Sequence, residues 1–595
     1  MKKIIALFGV ILFPVLMTGQ MSFDSGTYVR FKTINHRISA PQNWREESSG
    51  LHMLSGSEIL DLGILSEESS NKSLEIRCRL EGNLSPQNNA SEPMGNDFSI
   101  PYHIIDSDSI IDDATEFWFY IPPNYNISFD AISGRSSYVS NPFSDRKYFL
   151  VSGGNTAYQE IPTEAVVEQD SSRALNARAT WVYDTAMYNL VGTGRKWMGE
   201  LFDFTTTRVY DFSDRTTSGT SNANHPVPGS SIQVQIKAVA RSSTSNTKLT
   251  VRYGTQSETV IFPAVQTGSV SNYVQERQLT VDFTADQSTT LSITYDKAGN
   301  NAAAMWLDEM IVDWETTEEE VYPNQYMVNN SRGAGNYSHF DVEGSSCLKI
   351  FGIENKQIST FIEPAIVTSL GSAQTRSKWF SHEDKARTYR IGDCDEPLVL
   401  MVDEKVNLSA IQTATFSDLN GIESIVITTD SLLDAANDLA ELERASGVTC
   451  EVVSLSYIYD VMNTGNPDIG AIRKFLVKAY ADYNSLRYLT LFGDASYDYK
   501  GILPGAKSNV VPTYHTNTSF SLITSYITDD FYGYLDSGES VNWYLDDLDI
   551  GIGRIPVRTA SEAEEAVAKI ANYMQGTDRF GPWRARGIFV VDDAD

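Results

Sequence analysis

Residues 422–455 read IESIVITTDSLLDAANDLAELERASGVTCEVVSL, and the fold class turns on how they are divided. The first eight, IESIVITT, form a short apolar, β-branched run, the pattern of a strand covered on both faces. Residues 430–447 then carry apolar side chains at helical spacing, with Asp430 or Ser431 as cap and Gly447 as stop. VTCEVVSL, 448–455, is a second strand. The spacing predicts another helix from about Asp468 to Tyr483 and a third strand within LRYLTLFGDAS, 486–496. Strands alternating with helices build a doubly wound parallel sheet, and such sheets hold their chemistry beyond the carboxyl ends of the strands. Further on, SEAEEAVAKIANYMQ, 561–575, is an amphipathic helix with Ser561 as cap. RGIFVVDDAD, 586–595, reads as one more buried strand opening into acids.

Working outward, the preceding sequence has a different texture. SIQVQIKAVA, TKLTVRYG, ETVIFPAV, RQLTVDFT and TLSITYDK, within 228–315, alternate apolar and polar residues with period two. This predicts an antiparallel β-sandwich over 176–320. Residues 20–175 are rich in Ser, Asn, Pro and Gly between short β-type runs, predicting a β-rich N-terminal domain, and 321–395 form a β-type connecting region. The stretch YDTAMYNLVGTGRKWMGELFDF, from Tyr183, places Gly192, Gly194 and Gly199 around Arg195 and Trp197. It reads as a tight structured loop, without the strand, helix and Lys-Ser/Thr pair of a phosphate cradle.

At the start, Lys2 and Lys3 precede an apolar run from Ile4 to Met17 and then Thr-Gly-Gln, the plan of a secretory signal peptide cut after Gly19. The apolar run falls short of the roughly 20 residues that span a bilayer. A net charge of −31 leaves no basic face for phosphates, so nucleic acid is excluded as a partner. The four cysteines, Cys78, Cys347, Cys394 and Cys450, have neither metal-ligand spacing nor the density of a disulfide framework, and read as buried thiols.

Chemistry-bearing residues gather in the last third. LFGDASYDYKG sets Gly493 and Asp494 at the end of a predicted central strand. A calcium ion would need more oxygen ligands, for which Asp498, Asp529 and Asp530 are the candidates, and the assignment made is Asp494, Asp529 and Asp530. Gly551 and Gly553 hint at a dinucleotide site, but the third glycine is missing and Pro556 stands where the helix would begin.

Taken in order, YLTLFGDASYDYKG, TDDFYGYLD, LDIGIGRIPVRTASEAEEAVAKIANYM and WRARGIFVVDDAD resemble the first half of the catalytic domain of the gingipain family of cysteine peptidases. The resemblance covers roughly 396–595, and with the β-rich region before it extends to the sortases of type IX secretion. It implies a caspase/gingipain-like parallel-sheet domain, truncated within this chain, following the β-rich region and sandwich. It further implies a surface enzyme that removes C-terminal signal domains from exported cargo and joins the cargo to an anionic lipopolysaccharide, beside an outer-membrane barrel partner. No cofactor is required, and calcium is optional. The alternatives are a secreted gingipain-type protease and a non-catalytic surface adhesion or scaffold protein.

A cysteine peptidase needs a thiolate and a histidine base. In the family the base stands in a His-Gly pair, whereas the seven histidines here precede Arg, Met, Ile, Pro, Phe, Glu and Thr. The nucleophile and base are therefore expected beyond residue 595. The resemblance carries over one role only: an acid after the strand IFVV that supports the catalytic histidine, with Asp593 chosen over Asp592 and Asp595.

Overall fold

The computed structural model describes residues 27–33, 50–80, 84, 99–106, 110–130, 133–154, 158–165, 172–173, 177–212, 225–266, 272–316, 326–328, 337–345, 347–363, 366–371, 374–382, 388–393, 400–407, 413–503, 505, 509–521, 523–539, 546–576 and 580–589. The signal-peptide expectation at 1–19 lies outside them, as do Asp592, Asp593 and Asp595.

The N-terminal β-rich region is built from both ends of the chain that flanks the sandwich. One antiparallel sheet runs in the order Leu400–Asn407, Thr27–Thr33, Tyr148–Gly153, Leu74–Cys78. Its inward residues, among them Val29, Phe31, Ile76 and Phe149, pack on Phe117 and Phe119 of Glu116–Ile121. Past the sandwich, Leu348–Glu354, Gln357–Glu363 and Thr388–Asp393 form a sheet that takes Thr163–Ala165 in parallel onto its edge. Trp118 is fully buried with its ring 5.8 Å from that of Phe351. Gly392 permits this closeness, since a Cβ there would lie 2.4 Å from the Trp118 ring. The regions expected as separate units at 20–175 and 321–395 thus share sheets and a core. The strand Leu400–Asn407, expected within the α/β domain, completes the N-terminal sheet. Local patterning could not show this, because the partners are more than 350 residues apart.

The sandwich sits inside that unit as an insertion. One sheet has the order Ala177–Asp184, Ala304–Thr316, Ser231–Arg241, Gln275–Thr284, and the other Thr207–Asp211, Thr290–Asp296, Thr247–Tyr253, Gln256–Phe262. The alternation works as read: Ile232, Val234, Ile236 and Ala238 point into a core shared with Leu249, Val251 and Trp314. Each large apolar side chain buried this way contributes about 1.5–3 kcal/mol, enough to set which face of every strand turns inward.

The α/β unit is a four-stranded parallel sheet in the order Cys450–Ser454, Ser424–Thr428, Tyr488–Phe492, Gly551–Ile555. Ser424–Thr428 is central and buried at all five positions, in keeping with its apolar middle, Ile425, Val426 and Ile427, while Thr428 satisfies its hydroxyl on the Phe492 carbonyl. The helices are Leu433–Ala445, Leu455–Asn463, Ile469–Tyr483 and Ala560–Gln575. The first follows a single 3-10 turn, Asp430–Leu432, whose cap position is held by Thr429. The third starts where expected, with Asp468 as its cap, the side chain accepting from Gly470 N–H. The cap of the last is Thr559, not Ser561, because Thr559 and Glu562 close a reciprocal capping box. The helix Leu455–Asn463 was not foreseen; its aromatic and β-branched residues mask helical propensity, and only the cap, Ser454 accepting from Tyr457 N–H, announces it. The strand expected near 588 is not formed over its described part. Ile588 and Phe589 are 86% and 90% exposed and join no sheet. An apolar run becomes a strand only where a ladder partner and a packing surface receive it, so composition alone misleads here.

Candidate functional site

At the carboxyl end of the parallel sheet the motif residues converge on one guanidinium. Arg554, in the Gly551–Ile555 strand, donates from Nη1 to the carbonyls of Gly493 and Val511, both at 2.7 Å. Its Nε and Nη2 fork onto the Asp529 carboxylate at 2.8 and 2.7 Å. Thr513 Oγ1 donates to the same carboxylate at 2.6 Å, and Tyr532 closes the loop by donating to the Pro512 carbonyl at 2.7 Å. The Gly-Asp strand end, the Asp-x-x-Tyr-Gly turn and the Ile-Gly-Arg strand are therefore three parts of one hydrogen-bonded hub. Gly493 is required by crowding: a Cβ would meet Val510 at 2.5 Å. Asp494 extends the hub, its N–H donating to Val557 O and its carboxylate pairing with Arg558 at 2.5 Å.

The three acids assigned to calcium are thus engaged separately. Asp494 and Asp529 are each matched by an arginine, while Asp530 is exposed and starts a short 3-10 turn. Among the described residues the acids that do lie close together are Asp536, Glu539 and Asp549, which sequence reading did not single out. Asp549 accepts from Leu535 N–H and Glu539 from Asp536 N–H, so the trio also ties down its own loop.

No described thiol is placed as a nucleophile. Cys450 opens an edge strand of the parallel sheet, 1% exposed, and burial with Glu443 beside it pushes its thiol up to about 12. Cys78 is fully buried and pushed up to about 11 by desolvation. Both are free thiols. Cys347, expected as a thiol, is in a disulfide. His515, the histidine of the α/β region, is 2% exposed and lies edge-on to Tyr499. Burial, with Arg195 nearby, lowers its pKa to about 4, so it is neutral at pH 7 and shielded from substrate.

The stretch around Arg195 has a role that its glycines foreshadow. It is a tongue from the sandwich that docks on the α/β unit. Arg195 N–H donates to Thr516 O at 3.2 Å, Lys196 N–H to Ser519 Oγ at 3.0 Å, and Trp197 stacks on Tyr497. The Arg195 guanidinium covers the Tyr514 ring at 4.4 Å. The β-rich region grips from the other side. Arg30 Nη1 donates to both oxygens of Asp460 at 2.8 and 3.0 Å, Tyr28 adds a hydroxyl at 2.7 Å, and Lys500 pairs with Asp145 at 2.5 Å. Asn466 imitates a strand partner, bonding both N–H and C=O of Tyr148 at 2.9 Å.

Comparison with known proteins bears on this arrangement. Over the whole chain, the structure is similar to latent dimeric PorU from Porphyromonas gingivalis, with a TM-score of 0.70 at 19% identity. The likeness covers 95% of this chain and 51% of that one, so this chain spans about half the length of PorU. The PRD1 vertex protein P5 (16% identity, 24% of this chain and 97% of that one, TM-score 0.14) is too dissimilar to bear on the fold. So is an exo-beta-1,3-galactanase from Phanerochaete chrysosporium (17% identity, 36% and 41% of the two chains, TM-score 0.11). No curated protein matches the chain. The sequence that folds into the parallel sheet and its hub, residues 417–595, matches the family model of peptidase family C25.

Proposed function

We propose that this chain is the scaffold-bearing part of a C25-type cysteine peptidase working at the cell surface as a sortase. In this reading it removes C-terminal signal domains from exported cargo and transfers the cargo to an anionic surface lipopolysaccharide. An outer-membrane barrel holds it in place. The observation that carries the reading is the extent of the likeness to PorU. It runs through the β-rich region and the inserted sandwich as well as the C25 sheet, over 95% of the chain. One further feature supports it. Cys347 is in a disulfide, which persists outside the reducing cytosol. The nucleophile and base come from residues other than those described, and Asp593 supports the base.

The test is to disrupt the gene in the organism that encodes it and to examine exported proteins by mass spectrometry. The sortase reading expects cargo that keeps its C-terminal domain and lacks the lipopolysaccharide adduct. Cargo processed as before, with extracellular proteolysis reduced, would instead identify a secreted protease. No change in either would leave the adhesion role.

A further inference from the structure

Between the β-rich region and the C25 sheet lies a cavity of about 530 Å³, within the size range of small-molecule sites. It sits where the sheet reverses direction: the chain runs from Ser424–Thr428 to Cys450–Ser454 on one side and returns to Tyr488–Phe492 on the other. Ligands of open α/β sheets gather beyond the carboxyl ends of the strands at such a reversal. Thr429 and Leu455, which directly follow the first two of these strands, line the cavity, as does Tyr499 from the loop after the third.

The lining carries no net charge. Its charged residues are the acids Asp145 and Asp468 and the bases Arg146 and Lys500. Lys500 and Asp145 pair directly at 2.5 Å. Asp468 is buried, accepts from the N–H groups of Leu84 and Gly470 at 2.8 and 2.7 Å, and feels the Arg79 and Arg195 guanidiniums at longer range. An ionic ligand would give up its hydration here and find no surplus of opposite charge, so the cost of desolvating it is not recovered. What the lining does offer is rings and hydrogen bonds side by side. Phe143, Tyr148, Tyr459 and Tyr499 bring four rings to it, those of Phe143 and Tyr499 meeting edge to face at 4.9 Å. The Tyr459 hydroxyl has no hydrogen-bond partner among the described residues, and it lies near Asp468: burial and then that carboxylate push its pKa up. Each Asp468 oxygen takes one N–H and keeps a second acceptor position open.

We propose that this cavity is a binding site for a neutral saccharide. A pyranose has an apolar C–H face, which suits the ring-lined wall. Its rim of hydroxyls donates and accepts, which suits Asp468 as acceptor and the Tyr459 hydroxyl in either role. A wholly apolar ligand would strand both groups away from water, and leaving a buried polar group unpaired costs more than its hydrogen bond is worth. The inference stands on the cavity and its chemistry, so its failure would leave the peptidase reading untouched.

The test is saturation-transfer NMR of the full chain near neutral pH with methyl α-glucopyranoside, and separately with glucuronate and glucosamine, which carry a negative and a positive charge on the same ring. The neutral sugar should receive saturation and fill one site, and each charged counterpart should bind at least about tenfold more weakly. Tyr459→Phe keeps the ring and its packing and removes only the hydroxyl; it should weaken the neutral sugar by about tenfold without lowering the melting temperature of the chain. The proposal is overturned if the neutral sugar receives no saturation from a chain that melts cooperatively. A charged counterpart that binds as tightly, or binding untouched by Tyr459→Phe, would overturn it as well.

Discussion

Arg554 shows how one side chain can tie distant motifs together. A lysine could replace its charge but not its fork onto Asp529 together with two carbonyls. Removing one partner of a largely buried pair leaves the other uncompensated, so Arg554→Ala should cost about 3 kcal/mol, and Arg554→Lys should recover less than half of it. Urea unfolding followed by tryptophan fluorescence measures both; a loss below about 1 kcal/mol for the alanine variant would remove the hub from the account. Asp308 sets a pH dependence. In the pairing of Ser231–Arg241 with Ala304–Thr316, Lys237 faces Glu309 and Ala238 faces Leu307, so Asp308 is the extra residue of a bulge. Glu309 in turn faces Asp184 across the other ladder. Burial, and then Asp184 and Glu309, push Asp308 up to about 7, with Lys196 and Lys237 opposing. Between the ordinary value of 3.8 and about 7 the folded chain holds a proton that the unfolded chain releases. Stability from this group is therefore full at the acid end of that window and falls as pH rises through it. Asp308→Asn should raise Tm at about pH 8 and leave it nearly unchanged at about pH 4, as read by calorimetry; a variant that melts lower at the alkaline pH would contradict the assignment.

Among elements, the tongue over Gly192–Trp197 is the clearest case of a feature half legible in sequence. Its glycines announced a tight loop, and Gly194 does take a φ of +80°. What it packs against could not be read, because Ser519 and Thr516 lie more than 300 residues on. Gly194→Ala adds both strain at that φ and a Cβ 2.4 Å from Ser519 Oγ. It should cost about 2 kcal/mol and raise hydrogen exchange at the Arg195 and Lys196 amides, which donate to Thr516 and Ser519, whereas Gly192→Ala, whose Cβ would meet nothing, should leave those amides protected. The parallel strands were legible for the opposite reason. Ser424–Thr428 is buried on both faces, so its environment is written in its own five residues. Ile588 and Phe589 have the same kind of composition and no ladder, which shows that a strand is a property of its partners as much as of its sequence.

For the whole molecule, the fold class was legible because periodicity is local, whereas the domain boundaries were not. Thr27–Thr33 and Leu400–Asn407 close one sheet around everything between them, and Arg30, Lys500 and the tongue bind that body to the C25 sheet. The site was legible as a set of motifs and illegible as a mechanism. The motif acids Asp494 and Asp529 hold arginines, and the thiols of Cys78 and Cys450 are sealed in cores. Residues 417–595 build a sheet and hub that match the C25 family model, and the described thiols Cys78 and Cys450 and the imidazole of His515 are buried away from substrate. The most direct measurement is alkylation of the native chain with iodoacetamide near neutral pH, followed by peptide mass spectrometry. Cys78 and Cys450 should stay unlabelled until denaturant is added. Rapid labelling of Cys450 in the folded chain, slowed by His515→Asn, would contradict it.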